Sequence, residues 1–147
     1  MTLTVINLQK RIPIHPQKIK KIIKDILAVE KFRKASLSVV FVGAQKIHAL
    51  NVQFLKHNYP TDVLTFDLDD EAEIIISTDA ARQNARRFKT SVEHEMILYL
   101  IHGILHLKGY DDHSVTGIKK MRGREEELLR LVTGGRNAKY DRRKTST

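Results

Sequence analysis

His102-Gly103-Ile104-Leu105-His106-Leu107-Lys108-Gly109-Tyr110-Asp111-Asp112-His113 is the stretch on which the reading of this chain turns. Three of the seven histidines fall within these twelve positions. His102 and His106 close a long apolar run and stand four residues apart. On a helix that spacing places both imidazoles on one face, one turn apart, so that they can address a single point. Gly109 permits a sharp exit from the helix, and the following loop is long enough to bring His113 back. Three neutral imidazoles around one cation, with a fourth position left open, is how proteins hold a catalytic zinc ion. Gly103 sits between the pair, where alanine would favour the helix by about 1 kcal/mol. Its presence implies a close approach to the backbone there.

Working outward, Val92–Leu107 is apolar nearly all round and is expected to be the buried central helix, capped by Ser91, with His94 and Glu95 in its first turns. Thr78–Phe88 reads as the helix before it. A last helix runs from Ser114 to about Val132 and ends at Gly134-Gly135. Upstream, Thr2–Leu8 alternates as a strand, and Pro13 and Pro16 interrupt it. Ile19, Ile22, Ile23, Ile26 and Leu27 recur at helical spacing over a helix of about 14 residues. Leu37–Val42 is a β-branched buried strand. Ile47, Leu50, Phe54 and Leu55 mark a second helix, on which Leu55 is expected to be a core residue. Asp62–Leu68 and Glu73–Ser77 are strands joined by the acidic turn Asp69-Asp70-Glu71, a solvated turn lacking the glycine and spacing of a calcium loop. The order βαβαββααα defines an α+β domain: one mixed sheet of about four strands with helices packed on it. Residues 1–132 are expected to form a single catalytic domain, and 133–147 a basic, flexible tail.

The motif His-Gly-x-x-His-Leu-x-Gly-Tyr-Asp with a further His resembles the metal-site signature of the YbeY family of endoribonucleases. Pro60-Thr61-Asp62-Val63-Leu64-Thr65-Phe66 is similar to that family's Pro-Thr-Asp-Val-Leu-Ser-Phe. Ala72-Glu73-Ile74-Ile75-Ile76-Ser77 is similar to its Gly-Asp-Ile strand, with Ala and Glu replacing Gly and Asp. The resemblance covers roughly Leu37 to Leu129 and implies a single-strand-specific, metal-dependent endoribonuclease. It further implies work in rRNA maturation, at the 3′ end of 16S rRNA, and in ribosome quality control. His102, His106 and His113 would hold one Zn2+ per chain. RNA of the ribosomal small subunit, with ribosomal proteins, would be the partner, in the cytoplasm. Two positions depart from the family. Six residues separate His106 from His113 where five are usual, so Asp112 is an alternative third ligand. His113 is preferred, because a loop absorbs one extra residue more easily than a site changes ligand type. Leu55 stands where the family usually carries an Arg thought to help RNA cleavage. The catalytic residues themselves are therefore not assigned.

Composition bounds the alternatives. At 147 residues with 41% hydrophobic content the chain can bury one real core. No run approaches the 18 apolar residues or so that span a bilayer, and nothing resembles a signal peptide. With no cysteine, disulfides and thiolate ligands are excluded. The formal charge of +9 is uneven. Residues 1–35 hold nine Lys/Arg against two acids, residues 133–147 five against one, and the section between is slightly acidic. The cluster Lys18, Lys20, Lys21, Lys24, Lys31, Arg33 and Lys34 favours a polyanion such as RNA. At 6% aromatic content no stacking platform for bases stands out. A zinc peptidase would carry a Glu at position 103, where this chain has Gly. The other rival is a non-catalytic ribosome-assembly or RNA-binding factor with a structural zinc. For the ring N–H that a metal-bound His donates to a supporting acceptor, Glu95 and Asp111 are the candidates.

Overall fold

The computed structural model describes residues 1–55, 61–111 and 113–134. Four strands, β1 (Thr2–Asn7), β2 (Ser36–Val42), β3 (Val63–Leu68) and β4 (Glu71–Ser77), form one sheet in the order β1-β2-β4-β3. The first three neighbours run parallel and β3 is antiparallel to β4, so the sheet is mixed as expected. Five helices accompany it: α1 (Pro16–Glu30), α2 (Ala44–Leu50), α3 (Thr78–Phe88), α4 (Val92–Leu107) and α5 (Val115–Thr133). Pro16 opens α1, where its missing N–H costs nothing. Ser77, Ser91 and Ser114 each accept a backbone N–H and so start α3, α4 and α5. Gly134 ends α5 in the left-handed conformation. The tail beyond it lies outside the described residues, as does Asp112.

The core lies between one face of the sheet and α1, α4 and α5. Leu37, Val39, Phe41, Ile74 and Ile76 meet Ile23, Ile26, Leu100, Ile101, Ile104 and Leu105 there, all essentially inaccessible. As its all-round apolarity predicted, α4 is central, contacting α1, α3, α5, β3 and β4. Gly103 is where it meets the sheet. A Cβ at that position would stand 3.0 Å from Ile74 Cγ2 and 3.2 Å from Thr65 Cγ2. The close approach inferred from the sequence is thus the sheet itself. Gly103→Ala is expected to lower the melting temperature by roughly 2–4 °C, about 1 kcal/mol net, because Ile74 is fully enclosed and cannot yield. Thermal unfolding checks this; a rise would mean that the helix preference for alanine prevails.

Leu55 is not a core residue. After Leu50 the chain passes into a π-helical turn, Asn51–Leu55, whose wider winding shifts the side chains out of the α phase. Asn51 takes the buried position, while Phe54 and Leu55 are exposed, Phe54 meeting Phe66 edge-on at 5.8 Å. Elsewhere an ion pair ties the first helix to the last. Buried Glu30 accepts from Arg124 Nε at 2.9 Å and Nη2 at 2.6 Å, and that hydrogen bond holds the guanidinium pKa above its ordinary value.

Candidate active site

The rigid part of the site is the C-terminal half of α4. His102 and His106 stand one turn apart, ring centroids 4.6 Å apart, with their Nε2 atoms facing each other at 3.1 Å. Two imidazole nitrogens about 2.0–2.1 Å from one tetrahedral zinc would lie about 3.3 Å apart. The pair therefore fits a shared cation. The opposite nitrogen of His102, Nδ1, lies 3.4 Å from Glu125 Oε2 on α5. A proton on Nδ1 directed at that carboxylate leaves Nε2 with its lone pair, the form a cation needs.

Glu125 was not singled out in the sequence. Glu95 is fully buried at the start of α4 and accepts from Thr90 Oγ1. Asp111 serves the loop: its Oδ1 accepts the backbone N–H of His113 at 2.6 Å. The carboxylate at His102 is thus supplied by a different helix. A signal for it existed. Met121, Glu125, Leu128 and Leu129 share the buried stripe of α5. A carboxylate at such a phase must find a partner or be costly.

His113 is exposed on the loop between α4 and α5. Among the described residues, no group of three or more His, Asp or Glu side chains is gathered to hold a metal ion. The structure thus brings His102 and His106 together and sets His113 on the adjoining loop. Contacts on either side of position 112 hold the described part of that loop. Gly109 turns the chain at φ +98°, Asp111 holds the His113 amide, and Gly117 packs against Asp111. A Cβ on Gly117 would come within 2.5 Å of the Asp111 carbonyl oxygen. Gly117→Ala is expected to displace the loop, weakening metal binding by about tenfold while the α4 pair stays in place. Metal titration against the native protein tests this; unchanged affinity would show that the loop takes no part.

Beside the pair opens a cavity of about 190 Å³, lined by Asp62 and Val63, by Leu98, Tyr99 and His102, and by Arg122 and Glu125. Its walls explain the Thr-Asp-Val block: Asp62 and Val63 open β3 at the cleft, and Ser77 N–H donates to the Asp62 carbonyl at 2.9 Å. Asn84 Nδ2 donates to the Tyr99 hydroxyl at 2.7 Å and holds another wall. Arg122 brings a guanidinium to the cleft, three residues before Glu125 on α5. Leu55 is not part of this lining.

The basic cluster is split by the fold. Lys18 pairs with Glu93 at 2.8 Å and Lys21 with Asp25 at 3.3 Å, beside the start of α4 and so at the end opposite His102 and His106. Lys31, Arg33 and Lys34 instead share a cleft with Leu107 and Lys108 at the end of α4. Phe32 lines it too, an aromatic between basic residues that composition did not bring out.

Fold and cleft together define an α+β domain that presents paired imidazoles, a supporting carboxylate and a guanidinium on one rigid concave site. The family model Endoribonuclease YbeY matches residues 4–133. An Endoribonuclease YbeY of Chlorobium phaeovibrioides is 33% identical over 97% of this chain and 98% of its own length. One of Chloroherpeton thalassium is 36% identical over 77% and 83%. The solution structure of a Thermotoga maritima protein superposes with a TM-score of 0.67 at 29% identity, covering 90% of each chain. This chain belongs to the endoribonuclease YbeY family.

Proposed function

We propose that the chain hydrolyses phosphodiester bonds of single-stranded RNA with a divalent cation, zinc in the first instance, held by His102, His106 and His113. The single observation that carries this reading is the pair of Nε2 atoms 3.1 Å apart at the edge of a cleft. A cation bound there would polarise a phosphoryl oxygen and lower the pKa of a coordinated water towards about 7. The chain's own residues prepare that chemistry. Glu125 orients His102 and fixes its tautomer through Nδ1. Arg122 places a permanent positive charge where a phosphate would enter, and a guanidinium suits phosphate oxygens by its forked geometry. Asp62 and Tyr99 give the cavity polar walls. A cavity of about 190 Å³ has room for a single base turned out of its stack, in line with single-strand preference.

A peptidase reading lacks its base, and the packing of Gly103 on Ile74 and Thr65 leaves no room for a Glu there. For the wider role we propose maturation of the 3′ end of 16S rRNA in the cytoplasm, with the small subunit as partner. No helix among the described residues is long and apolar enough to cross a membrane. The test is cleavage of a single-stranded RNA with and without chelator. Cleavage should vanish on metal removal and return when zinc is restored; cleavage indifferent to the chelator overturns the metal-dependent mechanism.

A further inference from the structure

Lys108 follows His106 by two residues and sits where two open clefts meet. On one side are Lys31, Phe32 and Arg33 from the segment after α1; on the other are Tyr110 and Lys120, flanking the loop of His113. Each cleft holds roughly 440–450 Å³, more than twice the cavity beside the histidines. Lys34 is already engaged: its Nζ donates to Asp67 and to the Asp69 carbonyl, and the Lys34 hydrogen bond holds the Asp67 carboxyl below its usual range. Lys31, Arg33, Lys108 and Lys120 are exposed. The C-terminal end of α4, which carries the negative end of the helix dipole, is thus flanked by more cations than acids, Asp69 and Asp111 being the carboxylates on the two cleft walls.

We propose that an RNA strand entering the His102–His106 site continues across the end of α4. Its phosphates would be held by Lys31 and Arg33 on one flank, by Lys108 at the crossing and by Lys120 on the other flank. This rests on the nuclease reading for the identity of the ligand but names a separate surface. On α1, Lys18 and Lys21 lie off this track, beside Asp25 and Glu93 at the other end of α4. The surface adds affinity without touching the bond that is cut, so it should govern KM and leave kcat alone.

The experiment compares the full-length chain with two triple variants of equal charge change. Lys31→Gln/Arg33→Gln/Lys108→Gln alters the track, and Lys20→Gln/Lys21→Gln/Lys24→Gln alters α1. A fluorescent 12-nucleotide 2′-O-methyl RNA, checked intact by gel, is titrated by anisotropy across a range of KCl concentrations. Each phosphate contact on a single strand contributes a slope of about 0.7 in log affinity against log salt. The track variant should lose about 2 from that slope and at least about tenfold in affinity at 0.1 M salt, and the α1 variant almost nothing. Equal losses in the two variants, or no loss in the first, overturn the proposal. Binding is read without cleavage, so the two readings fail separately. A protein that cuts nothing yet shows the contrast keeps the track and loses the nuclease. A track variant that cuts RNA with unchanged KM and slope keeps the nuclease and loses the track.

Discussion

His106→Ala should purify as a folded protein without its metal and should cut single-stranded RNA at least about a thousandfold more slowly, roughly 4 kcal/mol of barrier. The reasoning is geometric. With Nε2 of His102 and His106 at 3.1 Å, removing one ring leaves a single imidazole on the rigid helix, too few to retain a cation against dilution. The ring is only half-buried, and the helix around it is held by Ile101, Ile104 and Leu105, so the fold should survive. Elemental analysis of native and variant protein, with circular dichroism on both, separates lost metal from lost structure. His113→Ala should lose metal as well, and Asp112→Ala should keep one equivalent. Full zinc occupancy in both His106→Ala and His113→Ala would end the three-histidine assignment. Loss of metal in Asp112→Ala alone would move the third ligand to the neighbouring residue.

For Glu125→Gln, the second large effect, a fall of about 10- to 100-fold in zinc affinity or activity is expected. The substitution keeps shape and packing but removes the carboxylate charge that lies 3.4 Å from His102 Nδ1. The imidazole is then less basic and less firmly oriented. A merely structural Glu125 would show itself as a change in melting temperature with metal affinity intact. Competition with a chromophoric chelator reads affinity, and thermal unfolding of the metal-free protein reads the structural part. Native affinity in Glu125→Gln would return the oriented-histidine role to some other acceptor.

Much of this was open to reading in one dimension, for reasons specific to each element. The extent of α4 followed from its mostly apolar sequence between Ser91 and Gly109, and the i, i+4 histidines followed from helical geometry alone. The strand and helix order followed from period, because each segment alternates or recurs over enough residues to declare itself. Leu55 did not follow. A π turn shifts the phase by part of a residue, and hydrophobicity counted on an α period then places Phe54 and Leu55 on the wrong face. The burial of Glu125 could be read from its place on the apolar stripe of α5, but its partner could not: Glu125 and Arg122 matter because they meet His102 across an interhelical gap, which no local pattern encodes.

The amino-acid order alone specified one α+β domain, its capped helices, the paired imidazoles and a basic, cysteine-free character. These are local properties, set by side-chain period, backbone preference and composition. Which carboxylate serves His102, which cations lie beside the site, and why glycine occupies position 103 emerged only once distant segments were packed. Such relations depend on α5 lying against α4 and on Ile74 pressing into a helix groove, contacts between residues far apart in the chain.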